Sequence, residues 1–503
     1  MNNIKRRFLY AFAVLALCGC AVGPDFEAPK YDAPKSWEGN GDAEAHLDKD
    51  RGISPEELSQ WWKLFGDDQL VSLIERAFES NPDLELAMAK IRQTRAGVGI
   101  TQSGLFPTIG INADLTDRSS DGMGGSHVYY GAGANASWEI DIFGGTRRSV
   151  ESAIETYKAS LADKCATRIS VAAEVARNYF QYRALQQQII ITKNNLSTQK
   201  KTYNITKQRK ANGFVSQLDV VRAAAQVETT SSEIPQLESS LAQARHAIEF
   251  LLGLNPNSLV EELSQPKPLP EFEKFVPTSV PAELVKRRPD VISAEYALHA
   301  AVAEIGYAEA DYYPRFYITG SVSYAAPEIG DIARNKYGSW SVGPNVSWNI
   351  FQAGKTYYNV EQSHALAQTK SITWKKTVLQ ALQEVEDNLV AAIKERERID
   401  YMSRIVENQR KAFELSSVLY TEGEIEFLDL LDTQRSLLSA EQNQITTRRL
   451  FIDYMIVLYK ALGGGWTPED MIDKELDKDA VPPLLLPEDG SKNQNPAADL
   501  NGA

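Results

Sequence analysis

The groups that most often carry chemistry are few in this chain, and their spacing gives them little to do together. Five histidines, at positions 46, 127, 246, 299 and 364, show none of the short spacings that bring two ring nitrogens to one metal ion. Gly354-Lys355-Thr356 imitates the end of a phosphate-binding loop, but Asn349 stands where that loop requires its leading glycine. The tripeptide also falls at a strand-to-helix junction, and Gly145-Thr146-Arg147 is its counterpart earlier in the chain. Cys165 lies amid helical sequence and reads as a small core residue. No catalytic constellation, cofactor motif or metal site emerges, and the chain reads as a non-enzyme.

Cys20 is different, because the residues before it specify a reaction. Lys5, Arg6 and Arg7 form a basic start, and Phe8 to Leu17 is an apolar run too short to span a bilayer. The run ends at Leu17-Cys18-Gly19-Cys20, similar to the lipobox of bacterial lipoproteins. That similarity implies cleavage before Cys20 and acylation of its thiol and new amino group; an ordinary signal peptide with an incidental cysteine is the alternative. Ala21 rather than Asp follows, which by analogy favours delivery to an outer membrane. Cys18 leaves with the signal and Cys20 is acylated, so Cys165 has no cysteine to pair with in an oxidising compartment.

The elements beyond this point are two copies of one plan. Asn81-Pro82-Asp83 recurs as Arg288-Pro289-Asp290, and Leu105-Phe106-Pro107 as Tyr312-Tyr313-Pro314. Ser137-Trp138-Glu139-Ile140 returns as Ser347-Trp348-Asn349-Ile350, and Gly213 with Leu218-Asp219 as Gly423 with Leu428-Asp429. Leu252-Gly253 matches Leu462-Gly463. Each copy holds a long stretch without Gly or Pro, Thr146 to Asn212 and Lys355 to Glu422, rich in good helix formers. Each stretch predicts a helix of ~100 Å. A Gly-marked turn then leads to a returning helix, Phe214 to Leu252 or Glu424 to Leu462. A short helix from Pro82 or Pro289, stacked end to end with the returning one, would match the long helix in length. The expectation is a tall wall four helices wide, with Pro235 a possible kink.

Between the short and long helices of each copy lie two segments of strict alternation. In Ala132 to Ile142 the apolar set includes Ala134, Ala136, Trp138 and Ile140 against Asn135, Ser137, Glu139 and Asp141. In Trp340 to Ile350 it is Trp340, Val342, Pro344, Val346, Trp348 and Ile350 against Ser341, Asn345, Ser347 and Asn349. The first strands agree, with Ile109, Ile111 and Leu115 in one copy and Phe316, Ile318 and Val322 in the other. Period two over ~10 residues fits a membrane barrel, apolar to lipid and polar to a wet lumen; a half-buried soluble sheet gives the same pattern. Pro344 cannot donate to a ladder and is awkward in a central strand. Four strands cannot close, and an open edge in lipid leaves backbone groups unsatisfied, so the chain must pool strands with copies of itself. Two, three or four copies satisfy that argument.

These residues resemble the TolC-type outer-membrane efflux family, in its lipoprotein branch serving resistance-nodulation-division (RND) pumps. The carriers are Cys20 to Phe26, Trp61-Trp62 with Phe65, Arg287 to Val291, Tyr313-Pro314, Phe351 with Gly354, and Leu428 to Asp432 with Arg435. The resemblance implies an α+β membrane protein, a homotrimer whose twelve-stranded barrel continues into a periplasmic helical tunnel. It divides the chain into a signal peptide (1–19), a lipid-anchored N-terminal segment and equatorial belt (20–70), a first repeat (71–253), an equatorial linker (254–281), a second repeat (282–463) and an equatorial and disordered tail (464–503). Tyr420, Asp429 and Asp432 match the family's periplasmic gate, and Asp219 matches its first-copy acid. Three-fold symmetry would turn each such acid into a ring that selects cations and can be released by a partner. Helix capping by Ser216 and Asp219, and first-turn acids favoured by the helix dipole, explain the same residues without a gate. Ile425 replaces an Arg that latches the gate in the family's best-known member, so a latch here must use other pairs, Arg222 among them.

By the same resemblance Gly213 and Gly423 mark tips that meet a periplasmic adaptor, and Trp138, Trp340 and Trp348 belong to the lipid-facing belt. The anchor would be outer-membrane lipid on Cys20. The implied function is export of small molecules with an adaptor and an inner-membrane RND pump. A duct for type I protein secretion and a non-transporting envelope coiled coil are the alternatives. Neighbouring genes separate the first two, and bilayer conductance separates both from the third. An acidic chain of net charge −14 without a basic patch argues against nucleic acid.

Overall fold

The computed structural model describes residues 21–32, 34, 54–119, 126–271, 287–331 and 338–472. The expectations for the signal peptide, Cys20 and the tail beyond residue 472 lie outside these residues. The described chain is rich in helix with one small sheet, an α+β architecture.

A short helix α1 (Pro55–Ser59) and a 3-10 turn (Trp61–Phe65) precede the first repeat, and α2 (Asp68–Ser80) leads into it. That repeat runs α3 (Pro82–Ser103), β1 (Thr108–Ser119), β2 (Ser126–Ile140), α4 (Gly145–Ala211) and α5 (Gln217–Leu251). The second runs α6 (Pro289–Ala310), β3 (Arg315–Ala326), β4 (Gly338–Ser347), α7 (Lys355–Glu422) and α8 (Phe427–Ala461). The long helices α4 and α7 have 67 and 68 residues, ~100 Å each. Both start from a left-handed glycine, Gly144 at φ 79° and Gly354 at φ 87°. The counterpart of Gly354-Lys355-Thr356 is therefore Gly144-Gly145-Thr146, one residue earlier than the sequence pairing. The returning helices begin three residues later than Phe214 and Glu424, because Ser216 and Glu426 hold extended N-cap backbone. α5 is helical on both sides of Pro235.

Two-part and unbroken columns of helix alternate across the wall, the two of the first repeat beside the two of the second. α4 packs on α3 and α5 along one side and on α6 and α8 along the other, and α7 packs on α6 and α8. The short and returning helices do meet end to end. Asn81 joins the first pair: its Oδ1 accepts from the N–H groups of Asp83 (2.9 Å) and Leu84 (3.2 Å), while its Nδ2 donates to the Leu251 carbonyl (2.7 Å). One buried side chain thus caps the start of α3 and the end of α5. Arg288 joins the second pair, donating to the Ala461 carbonyl (3.1 Å) while bonded to Asp290 (2.6 Å) and Glu384 (2.8 Å). Head-to-tail helix dipoles favour both junctions.

The principal core sits at the waist. Trp61, Trp62, Phe65, Leu70, Ile74 and Ala77 pack against Tyr179 and Phe180 of α4, Ile248 of α5, Trp374 and Val378 of α7, and Met455, Ile456 and Tyr459 of α8. Leu259, Leu263 and Leu269, from the equatorial linker, close it. Cys165 packs with Ile169 and Trp466, and burial pushes its thiol up to about 12, the expected behaviour of a core residue.

The four strands form one antiparallel sheet in the order β1-β2-β3-β4. Register brings Ile109 opposite Ala136, Ile111 opposite Ala134, Val322 opposite Trp340 and Ile318 opposite Pro344, so one face is continuously apolar. The other pairs Gly110 with Asn135, Asn135 with Ser321, and Ser321 with Ser341, whose hydroxyls lie 2.8 Å apart. Within one protomer the apolar face has no cover: Ile109, Ile111 and Trp340 are 78%, 89% and 76% exposed. Pro344 lies on β4 in register with Ile318 of β3, and the ladder forms around its missing N–H. Two strand limits differ from the alternation. β2 ends at Ile140 because Asp141 turns to cap α4, accepting from the N–H groups of Thr146 (3.2 Å) and Arg147 (2.9 Å). β4 ends at Ser347, and Trp348 leaves the ladder to donate its indole N–H to the Tyr312 carbonyl (3.1 Å). Trp138, still within β2, makes the matching bond to the Leu105 carbonyl (2.9 Å).

Candidate functional site

Two regions are built for more than packing. The first is the tip, ~100 Å of helix from the strands. Gly213 (φ 82°) and Gly423 (φ 88°) turn the chain there. The Gly423 and Glu424 N–H groups both reach the Leu419 carbonyl at 2.9 Å, a left-handed C-terminal cap. Asp219 stands at the start of α5, where its carboxylate accepts from the Ser216 N–H (3.0 Å) and hydroxyl (2.7 Å) in a capping box. Asp429 is exposed in the first turn of α8 and accepts from the Glu426 N–H (3.3 Å). Asp432 is exposed one turn further on.

Tyr420 is set apart from these acids. It is buried in a small cluster with Ala223, Phe427, Leu430 and Leu431. Its hydroxyl lies 3.0 Å from Thr206 Oγ1 of α4. Arg209 of α4 lays its guanidinium 4.8 Å over the Tyr420 ring and donates to the Tyr420 carbonyl, covering the open end of α7. Gln434 to Thr202 (2.9 Å) and Arg435 to Gln226 (2.6 Å) add further ties between α8 and the first repeat. The tip of one protomer is therefore a pair of helical hairpins held by polar side chains. Arg222 lies 4.0 Å from Asp219 on its own helix. Sequence reasoning missed Arg209; a cation in the last turn of α4, where the dipole favours one, was its signal.

The second region is the foot of the sheet, where residues 21–26 lie as a strap over both repeats. The Val22 N–H donates to the Phe143 carbonyl (3.0 Å). Arg148, buried in the first turn of α4, donates to the Val22 carbonyl (3.1 Å), the Asp25 carboxylate (2.7 Å) and Glu151 (2.9 Å). Gly23 adopts φ +90°, and a Cβ there would lie 2.3 Å from the Gly306 Cα, so two glycines let the strap touch the backbone of α6. Phe26 stacks on His299 with ring centroids 4.2 Å apart.

His299 itself bridges α6 to α4. Its Nε2 is 2.9 Å from Glu151 Oε1 and its Nδ1 3.3 Å from Glu155 Oε2, so both ring nitrogens face carboxylates and only the imidazolium donates at both. Burial works against that charge, but the carboxylates outweigh it and push the His299 pKa up to about 9. Burial likewise raises the two acids, and the bonds to His299, Arg148 and Lys158 more than reverse it, holding Glu151 and Glu155 below the usual range. Among the described residues no group of acids, histidines and cysteines is arranged to hold a metal ion.

The outer membrane efflux protein family model matches residues 73–254 and 280–464. Nodulation protein T of Rhizobium leguminosarum bv. trifolii is 30% identical over 469 residues, covering 92% of this chain and 98% of that protein. The solvent efflux pump outer membrane protein SrpC of Pseudomonas putida is 31% identical over 472 residues, 92% of this chain and 99% of its own. Among solved structures, the outer-membrane channel OprN superposes with a TM-score of 0.81 at 33% identity, over 89% of this chain and all of that one.

Proposed function

The chain belongs to the outer membrane efflux protein family, and we propose that three copies of it form the exit duct of a tripartite RND-type pump for small molecules. The observation that carries this reading is the sheet. Four antiparallel strands with two unpaired edges and one bare apolar face are stable in a bilayer only when β1 and β4 meet neighbouring copies. Three chains give twelve strands, an even number within the range of outer-membrane barrels. The polar face then lines a wet lumen that continues between the helical walls. A periplasmic adaptor meets the tips at Gly213 and Gly423, and Asp219, Asp429 and Asp432 stand as rings where the tunnel narrows. Tyr420 serves this gate indirectly, by tying α7 to α4 through Thr206 and Arg209. Acylated Cys20 anchors the foot in outer-membrane lipid. The relatives named for toluene, solvent and antibiotic efflux support small molecules as cargo.

The test expresses the chain with a periplasmic adaptor and an RND pump, in a Gram-negative host stripped of its own ducts. Accumulation of a fluorescent pump substrate should fall only when all three are present. Unchanged accumulation, with export of a protein when an ABC exporter is supplied instead, would assign the duct to type I secretion. Native mass spectrometry of the detergent-extracted protein should give three copies, and a conducting monomer refutes the barrel.

A further inference from the structure

The apolar face of the sheet carries a groove. Ile109 on β1 and Trp340 and Val342 on β4 rise on either side of Ala134, Ala136 and Gly320, whose small side chains leave an open trough of about 380 Å³. Its lining is almost wholly apolar and crosses all four strands. The trough closes toward the foot of the sheet, where Trp138 and Ile318 stand opposite one another and fill its floor.

The described N-terminus ends at the foot of that trough. Ala21 touches Gly144 closely enough that a Cβ on the glycine would lie 2.6 Å from it, and the next residue is bonded to the Phe143 carbonyl. Phe143 stacks on Tyr313 (4.5 Å) and leans on Phe316 (6.5 Å), a member of the apolar face. From Ile140 at the end of β2 up to Ala136 is ~13 Å of strand. A group attached to the residue before Ala21 therefore starts beside the sheet, within a long acyl chain's reach of the trough.

We propose that this groove seats the chain's own lipid anchor: an acyl chain on Cys20 runs up the outside of β2 and lies between Ile109 and Trp340. The inference rests on acylation of Cys20 and on the apolar face meeting lipid. The strap favours this occupant over bulk lipid. Arg148, the Gly23–Gly306 contact and the Phe26–His299 stack fix residues 22–26, so the tether has almost no slack and the effective concentration of its acyl chain at the groove is high. A seated chain converts a loose anchor into a rigid one.

Cells fed a fatty acid bearing both an alkyne and a diazirine provide the test. The protein is purified as the native trimer, irradiated, digested and mapped by mass spectrometry. The seat requires label on Cys20 and crosslinks from it to peptides containing Ile109, Ala134–Ala136 or Trp340. Ala134→Trp, which fills the trough from the lipid side, should reduce those crosslinks at least fivefold while label on Cys20 is unchanged; Trp340→Ala, which removes one wall, should disperse them along the sheet. Crosslinks that ignore both substitutions overturn the seat. So does a groove labelled by a diazirine phospholipid added in detergent but not by the chain on Cys20. Unlabelled Cys20 is a separate result, which removes the lipidation reading and the seat with it.

Discussion

His299→Gln tests whether the ion cluster under the strap holds the two repeats together. The ring is 23% exposed and faces Glu151 and Glu155 from α4, with Arg148 and Lys158 on the same helix, Asp25 on the strap and Glu295 on its own helix. Its pKa, about 9 in the packed state, compares with 6.5 for an ordinary histidine. A tenfold change in an equilibrium is ~1.4 kcal/mol, so the charged ring stabilises the α4–α6 contact by about 3 kcal/mol, or roughly 2 after allowance for its partial exposure. Because the packed-state pKa is raised, this stability is complete below pH 6.5 and is lost as pH rises through about 9. The lowered pKa values of Glu151 and Glu155 describe the same contact from its other side and add nothing further.

The readout is hydrogen exchange of the detergent-extracted protein, expressed as protection factors to remove the pH dependence of intrinsic exchange. Local opening, rather than global unfolding, is the observable that isolates this one contact. In the wild type, protection across residues 22–26 and 293–303 should be constant from pH 5 to about 6.5 and fall by roughly thirtyfold by about pH 10. His299→Gln should lack that fall and begin at the low value, since ~2 kcal/mol is about a thirtyfold change in an opening equilibrium. Equal protection in wild type and variant at about pH 6 would mean that the His299 ion cluster does not hold α4 to α6.

Four further outcomes are expected. Asn81→Ala removes the cap of α3 and the donor to the Leu251 carbonyl together, and should cost about 1–3 kcal/mol, read as accelerated exchange at both helix ends and not elsewhere. Val342→Arg on the lipid side should impede membrane insertion by about 2–4 kcal/mol if it lies near the midplane, whereas Ser341→Arg on the other face should insert normally; heat-modifiable mobility of the trimer distinguishes them. Cys20→Ser should abolish fatty-acid labelling without abolishing conductance, because a closed barrel holds itself in lipid. On the proposed gate, Asp429→Ala with Asp432→Ala should raise single-channel conductance and admit larger antibiotics, because the ring of carboxylates at the tip is lost; unchanged conductance would make these acids helix-start residues only.

Much of the architecture could be read from residues that repeat. Pro82 and Pro289, Gly213 and Gly423, and the gaps between them gave four columns of helix and two turns, because proline and glycine act locally and their spacing survives folding. The sheet faces were legible for the same reason, since alternation is a property of the strand itself. Contacts between the copies were not. Arg148 and His299 belong to different repeats, and no periodicity marks a strap that arrives from residues 21–26. Asn81 and Arg288 were visible as landmarks, yet their work at a junction depends on helix ends that pattern alone does not bring together. Asp141 had the right alternation for a strand and left it because α4 offered two bare N–H groups. Of the acids carried over to the tip, sequence showed the capping role of Asp219, and only the packing of Tyr420 against Arg209 revealed what closes the end of α7.

The two end-to-end junctions differ in kind, and the duplication is therefore not mechanically symmetric. Asn81 makes the first with neutral hydrogen bonds at 1% exposure, out of reach of dissolved ions. Arg288 makes the second with ionic ones, through Asp290 and through a Glu384 that is half exposed. Electrolyte screens the second and leaves the first untouched. Along the wall, α4 and α7 are unbroken beams, and the two columns beside them are spliced, one with a dry joint and one with a wet one. The stiffness of the second column therefore varies with electrolyte while that of the first does not, and α8, with Asp429 and Asp432 at its far end, is the arm that this joint holds.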